Sequence, residues 1–205
     1  LKKGKVMRKF IKTVEIWSML NHPAVVPFIG YSDHKNRGSI YLKYMSNESL
    51  DVYINKQKED QEQNSPLNFT QKLIISYGIA CAIEYLHSLN IVHQNIKMSN
   101  VLLDENLYPY LTDFKLVGSD DLNLEMTIQD VPFVNAPEFY QDFNKYNQTK
   151  PLDIYSYGLF LFELWSGEKP FSNIKNFHTI LSTVLRGQMP YVRSGNRIPD
   201  VFNKM

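Results

Sequence analysis

Hydrophobic residues recur along the chain at two spacings, which predict helices in some segments and strands in others. A spacing of three or four residues predicts five helices, and the strongest pattern covers residues 70–89, with Thr70 as the expected N-cap. Residues 153–165 are apolar on nearly every side, which is typical of a buried helix. The other three predicted helices cover residues 10–20, 49–55 and 177–186.

Two pairs of short strands are predicted between these helices. Residues 25–31 and 39–45 have strand-like composition and are separated by a polar turn, so together they predict a hairpin. Residues 101–103 and 110–112 predict a second, smaller pair. The Asn21-His22-Pro23 sequence is expected to end the first helix, because proline disfavours helical backbone in the residue before it.

Three segments show no hydrophobic period. Residues 1–8 are basic and carry little fold signal, and residues 56–66 are charged and rich in glutamine, which predicts a solvated loop. Residues 116–137 predict a long loop, and loops of this length are usually functional or disordered. The sequence leaves open whether residues 56–66 form a docking loop or a tolerated insertion.

Composition indicates a globular protein, with 43% hydrophobic and 21% charged residues. The formal net charge of +1 gives no bias towards nucleic acid or a membrane surface, and the longest apolar stretch is too short to span a bilayer. The single cysteine, Cys81, cannot form an internal disulfide, which favours a reduced, cytoplasmic protein. The nine glycines include no Gly-x-Gly-x-x-Gly sequence of the kind that cradles nucleotide phosphates.

Residues 91–103 read Ile-Val-His-Gln-Asn-Ile-Lys-Met-Ser-Asn-Val-Leu-Leu. This stretch resembles the catalytic loop of protein kinases, His-Arg-Asp-Leu-Lys-x-x-Asn followed by a short apolar strand. His93, Lys97 and Asn100 match that pattern, whereas Gln94 stands at its arginine and Asn95 at its aspartate.

Further segments match the kinase pattern in the family's order. They are His22-Pro23 after the first helix, a hinge-like segment over residues 40–50, Tyr85-Leu86-His87, Asp113-Phe114-Lys115, Ala136-Pro137-Glu138, residues 153–158 and Gly167-x-x-Pro170-Phe171. Each string is short, but their order and spacing together are specific. The chain therefore resembles protein kinases over nearly its whole length, and most closely the tyrosine-kinase-like serine/threonine group.

The resemblance implies an α+β, protein-kinase-like fold. Residues 1–44 would be a truncated N-lobe, with helix C and two strands, and residues 45–205 a mostly helical C-lobe that lacks the final helices. It also implies an apolar spine anchored by Asp153 and made of Trp17, Phe28, His93 and Phe114.

The resemblance also implies roles for individual residues. Asp113 and Asn100 would be ligands of Mg²⁺, whose hard charge suits oxygen donors, and Lys97 would stabilise the transferred phosphoryl group. The adenine pocket of an ATP site would be formed by the gatekeeper Leu42, the hinge residues Lys43 to Met45 and the floor residue Leu102. The alternatives are a turn residue for Asp113, a surface lysine for Lys97 and a loop cap for Asn95.

Several substitutions depart from an active kinase. An amide at Asn95 has no useful basicity, and losing a general base typically lowers a rate by about 10²–10⁴-fold. Thr13 stands at the helix glutamate, Lys115 at the Asp-Phe-Gly glycine and Gln94 at the arginine that reads loop phosphate. The Gly-rich loop and the ATP-clamping lysine are not found, so the sequence reads as a fragment or a degenerate protein, in which Glu138 lacks its expected arginine.

Three hypotheses follow. The favoured one is a catalytically impaired pseudokinase, a scaffold or allosteric module that binds other signalling proteins rather than nucleic acid or membrane, with weak or absent binding of ATP and Mg²⁺. The alternatives are a weakly active serine/threonine kinase and a truncated product that folds poorly alone. The oligomeric state is left open.

Overall fold

A computed structural model of the protein describes residues 2–34, 37–60, 66–113, 135–142 and 149–191. The described residues form six α-helices and two small antiparallel sheets, so the predicted α+β class is confirmed. In chain order the elements are α1 (Lys2–Met19), β1 (Phe28–His34), β2 (Arg37–Leu42), α2 (Leu50–Asp60), α3 (Phe69–Ser88), a 3₁₀ turn (Met98–Asn100), β3 (Val101–Leu103), β4 (Pro109–Leu111), α4 (Pro137–Gln141), α5 (Lys150–Ser166) and α6 (Phe177–Leu185).

The first helix packs against the first hairpin. Val14 and Trp17 are buried because they lie three residues apart on the inner face of α1, and Leu20, directly after the helix, is buried beside them. In the hairpin, Tyr31 pairs with Ile40, and the register shifts by one residue between Phe28 and Gly30.

The main hydrophobic core is continuous from α1 to α5. It contains Trp17 of α1, Met45 after β2, Ile79 of α3 and Leu164 of α5, all buried. The division of the chain at residue 44 into two lobes stays a prediction, because one core cluster spans both parts.

The two longest helices of the C-terminal part, α3 and α5, are joined by polar contacts as well as by packing. Ser76 of α3 accepts at its hydroxyl a hydrogen bond from Trp165 Nε1 over 3.2 Å. Its backbone carbonyl accepts another from the Tyr157 hydroxyl over 2.8 Å. Burial raises the pKa of Tyr157 to about 12, so this hydroxyl keeps its proton and remains a donor at neutral pH.

The predicted N-cap of the strongest helix is wrong. Asn68, not Thr70, caps α3, because the Asn68 side chain accepts from the Gln71 backbone N–H over 2.9 Å. The Gln71 side chain accepts in return from the Asn68 backbone N–H over 2.8 Å, which completes a capping box.

Several predicted boundaries also needed correction. The helix predicted over residues 10–20 begins at Lys2, within the stretch that carried little signal, and α2 continues to Asp60, into the predicted loop over residues 56–66. The strand predicted from Val25 begins at Phe28, since Pro27 has no N–H for a ladder and Val25 forms only an isolated bridge with Leu111.

Other boundaries moved less. The helix predicted over residues 153–165 begins at Lys150, with proline in its first turn. Of the long loop predicted over residues 116–137, only residues 135–137 are described, and Pro137 already begins α4. No described helix combines the length and the apolar character that crossing a bilayer requires.

We expect Gly78→Ala to destabilise the protein by about 1–3 kcal/mol, because it adds a methyl group where two elements touch. A Cβ on Gly78 of α3 would lie 2.7 Å from Cγ of Pro109 on β4, closer than carbon atoms pack. The measurement is urea denaturation, with circular dichroism as the probe of unfolding.

Gly158 provides the matched control, because it also lies within a helix, α5, and a Cβ there would meet nothing within 4 Å. Gly158→Ala should stabilise the protein by up to about 1 kcal/mol through helix propensity alone. Equal effects of the two substitutions would show that the contact between α3 and β4 does not require glycine.

Candidate functional site

The loop over residues 91–97 is fastened to α5 by one buried carboxylate. Asp153 is 0% exposed and accepts the backbone N–H groups of His93 over 2.8 Å and Gln94 over 2.7 Å. It also accepts from His87 Nε2 over 2.7 Å. A buried carboxylate is stable only with such partners, so Asp153 fixes where the loop leaves the core.

Gln94 shows how firmly the loop is held. Its φ of +61° lies in the left-handed region, which a residue with a side chain seldom adopts. Its side-chain Nε2 is buried and has no hydrogen-bond partner in the part of the chain that the structure describes. The bond from the Gln94 backbone N–H to Asp153 stabilises this uncommon conformation.

His93 links the loop to the strand end that carries Asp113. Its Nδ1 accepts the Asn95 backbone N–H over 3.2 Å, so the ring proton lies on Nε2. Nε2 then donates to the Thr112 carbonyl over 3.0 Å. The imidazole is fully buried and held as one neutral tautomer, which gives it a structural role.

Asn95 lies between the two predicted metal ligands. Its Nδ2 donates to Asp113 Oδ2 over 2.9 Å, and its backbone carbonyl accepts from Asn100 Nδ2 over 2.7 Å. The orientation of the Asn95 amide follows from its partners, since the carboxylate of Asp113 can only accept. The sequence did not predict the contact between Asn95 and Asp113. The feature that could have indicated it is the amide at position 95, where the family has a carboxylate.

Asp113 and Asn100 could hold Mg²⁺ only together with other ligands. Asn100 is 6% exposed and uses its amide NH₂ for Asn95, which leaves its side-chain oxygen for a cation. Asp113 is exposed and adopts a φ of +59°, which aspartate tolerates.

One carboxylate and one amide oxygen suit Mg²⁺, which usually keeps waters and takes substrate phosphates. The residues therefore fit the ion, which would neutralise phosphate charge when bound. Among the described residues no three His, Cys, Asp or Glu side chains form a metal-binding group.

Lys97 lies on the same loop, two residues beyond Asn95. Its backbone is extended, and its carbonyl accepts the Asn100 N–H over 3.0 Å at the start of the 3₁₀ turn. Lys97 is partly exposed. Its role in stabilising a phosphoryl group stays a prediction.

The predicted hinge segment forms backbone hydrogen bonds with β3. The Asn47 N–H donates to the Leu103 carbonyl over 3.1 Å, and the Leu103 N–H donates to the Glu48 carbonyl over 2.9 Å. Leu42 and Leu102 pack on the core cluster that contains Met45. The structure therefore brings three of the predicted adenine-pocket residues to one apolar region.

Lys43 is placed differently from its neighbours. Its backbone N–H donates to the Pro27 carbonyl over 2.9 Å, and its Nζ lies 5.9 Å from the centre of the Tyr110 ring. Burial, with Asp104 nearby, raises the pKa of Tyr110. The exposed Lys43 side chain therefore lies over the ring of Tyr110 on β4, and the raised pKa keeps that tyrosine hydroxyl protonated.

Thr13, which stands at the family's helix glutamate, and Glu15 lie on the first helix with different exposure. Thr13 is partly buried and Glu15 is exposed, so position 13 faces the interior more than position 15 does. Glu15 is thus poorly placed to substitute for a helix glutamate. Phe114 and Lys115 lie outside the described residues.

The Ala-Pro-Glu segment begins α4, and α4 packs against α6. Ala136 is buried and Pro137 occupies the first turn of α4. Burial, followed by the nearby Tyr140 and Glu138, raises the pKa of Tyr155 to about 12. Glu138 therefore lies close to a tyrosine of α5.

A family model described as protein tyrosine and serine/threonine kinase matches residues 2–200. The chain belongs to the protein kinase family. The predicted family and fold class are confirmed by this match.

Curated kinases from several organisms are similar to this kinase-family chain. Human interleukin-1 receptor-associated kinase-like 2 is 33% identical over 168 residues, which are 80% of this chain and 26% of that protein. Mouse serine/threonine-protein kinase TNNI3K is 34% identical over 81% of this chain and 20% of its own length. A probable LRR receptor-like serine/threonine-protein kinase of Arabidopsis thaliana is 33% identical over 95% of this chain and 22% of its own length.

These relatives confirm the predicted tyrosine-kinase-like serine/threonine group. The kinase-family chain spans between 14% and 31% of the length of the curated relatives it matches.

Proposed function

We propose that this kinase-family chain is a catalytically impaired pseudokinase domain that acts as a scaffold or allosteric module. The observation that carries the proposal is the Asn95 side chain, which donates to Asp113 over 2.9 Å. In an active kinase this position bears the carboxylate that accepts the proton of the substrate hydroxyl. Here the position bears a neutral amide whose NH₂ group donates a hydrogen bond to Asp113.

The retained scaffold supports the same proposal. His93, Asp153 and Asn100 keep the loop in a defined conformation through hydrogen bonds that are buried or partly buried. A loop that keeps its shape without its proton acceptor is suited to recognition rather than catalysis. We propose other signalling proteins as its partners and the cytoplasm as its location, with residues 1–44 and 45–205 as its two lobes.

The second candidate is a weakly active serine/threonine kinase. It is favoured by Asp113 and Asn100, which are placed to bind an ion with a nucleotide, and by Lys97 on the same loop. The Asn95 carbonyl oxygen could accept a hydrogen bond from a substrate hydroxyl, which would orient it without removing its proton. ATP with Mg²⁺ would be the cosubstrate.

The deciding experiment measures transfer of the labelled γ-phosphate of ATP to the chain itself and to a generic protein substrate. We expect the wild type to match the Asp113→Asn variant, because a missing general base lowers the rate by about 10²–10⁴-fold. Asp113→Asn is the matched control, since it keeps the side-chain size and removes the main predicted metal ligand.

Wild-type transfer more than about tenfold above that control would contradict the pseudokinase proposal and favour the weak kinase. Nucleotide binding is measured separately by melting with ATP. A ligand at 100 times its Kd stabilises a protein by about 2.7 kcal/mol, so even weak binding is detectable at millimolar ATP.

A further inference from the structure

Asn95 contacts both predicted metal ligands through direct hydrogen bonds. Asn95 Nδ2 lies 2.9 Å from Asp113 Oδ2 and 3.4 Å from the Asp113 carbonyl oxygen. On its other side the Asn95 carbonyl accepts from Asn100 Nδ2 over 2.7 Å. Asn100 and Asp113, which lie 5 and 18 positions after Asn95 in the chain, therefore both contact it.

A carboxylate at position 95 would have the opposite effect on Asp113. Two carboxylate oxygens at this separation repel each other, and a cation between or beside them would have to offset the repulsion. The amide instead presents a donor to the carboxylate and carries no charge. The substitution therefore changes the relation between positions 95 and 113 from repulsive to attractive.

We propose that Asn95 is a positioning residue that assembles this site in place of a divalent cation. Its amide holds Asp113 against the loop, and its backbone carbonyl holds the Asn100 side chain. The stability of the wild-type chain is then insensitive to Mg²⁺, because one oxygen of Asp113 is already satisfied. This inference rests on the proposed assignment of Asp113 and Asn100 to the nucleotide site.

The same contact sets a condition on any nucleotide that enters. A metal ion arriving with the phosphates must compete with the Asn95 amide for Asp113 Oδ2. A nucleotide without a metal ion meets a site that is already organised.

The experiment compares melting temperatures of the 205-residue chain in MgCl₂ with those in EDTA at matched ionic strength. We expect Asn95→Asp to lower the Tm in EDTA by about 2–6 °C and MgCl₂ to restore at least half of that loss. The wild type should shift by less than about 1 °C between the two conditions. A general loss of packing would lower the Tm without creating this dependence on Mg²⁺.

A double substitution, Asn95→Asp with Asp113→Asn, exchanges the two groups and keeps one amide donating to one carboxylate. We expect its Tm in EDTA to return to within about 1–2 °C of the wild type. If Asn95→Asp is unfolded in EDTA, recovery of its melting transition by MgCl₂ supports the proposal, and no recovery overturns it. The proposal is also overturned if the wild type and Asn95→Asp respond equally to MgCl₂.

This outcome is independent of the phosphate-transfer assay. Transfer by the wild type would overturn the pseudokinase proposal while the dependence of the Asn95→Asp Tm on Mg²⁺ could still be observed. Conversely, an inactive chain whose Asn95→Asp variant ignores Mg²⁺ would keep the pseudokinase proposal and remove the role given to Asn95.

Discussion

Replacement of Asp153 by alanine is expected to lower the free energy of unfolding by about 3–5 kcal/mol. The carboxylate is fully buried on α5 and accepts three hydrogen bonds, from the backbone N–H groups of His93 and Gln94 and from His87 Nε2. Its removal leaves three donors in the interior without an acceptor, and each such group costs about 1–3 kcal/mol. Gln94 also loses the bond that holds its positive φ.

The measurement is urea denaturation together with amide hydrogen exchange. The midpoint should fall, and the amides of His93 and Gln94 should lose protection before those of the α3 core. Asp33→Ala is the control, because Asp33 is an exposed carboxylate on β1, and it should change stability by less than about 0.5 kcal/mol. A loss below about 1 kcal/mol for Asp153→Ala would show that water replaces the carboxylate at this position.

Replacement of Trp165 by alanine should destabilise the chain by about 3–5 kcal/mol. The side chain is 7% exposed, its ring meets the edge of Phe69 at 5.3 Å between centroids, and its Nε1 donates to Ser76. Alanine leaves a large cavity between α3 and α5 and removes the donor to the Ser76 hydroxyl.

Circular dichroism in urea is the appropriate measurement, because the substitution removes one of the two tryptophans that fluoresce. Trp165→Phe should lose less stability than Trp165→Ala, since it removes the hydrogen bond but keeps most of the apolar volume. Tyr44→Ala is the control for loss of an aromatic ring, because Tyr44 is 82% exposed. A similar loss at Tyr44 and Trp165 would contradict the assignment of α3 and α5 as the core.

The sequence was informative where chemistry and local pattern coincide. The loop over residues 91–100 was recognised from its residue types, and its position between α3 and β3 followed from the helix and strand patterns around it. The two antiparallel pairs were also predicted, because short apolar runs flanked by polar turns have few other solutions.

Boundaries were predicted less well, for reasons that are local to each element. Asn68 caps α3 through a reciprocal contact with Gln71, which residue preference alone did not distinguish from a cap at Thr70. The first turns of α1 have no apolar period. Their helical conformation therefore depends on helix propensity and on extension of the helix from its packed part.

The contact between Asn95 and Asp113 in the candidate site could not be predicted from the sequence. Asn95 and Asp113 are 18 residues apart, and their meeting depends on how His93 ties the loop to Thr112. The pattern showed that a base was missing at position 95. It could not show that the amide makes a contact of its own.

The attachment of His93 and Gln94 to Asp153 has a consequence for how this lineage could change. Because the backbone N–H groups of His93 and Gln94, the two residues before position 95, are hydrogen-bonded to Asp153, the path of the loop up to that position does not depend on the side chain at 95. A single codon change at position 95 can therefore alter the chemistry of the loop while the backbone that leads into it keeps its path.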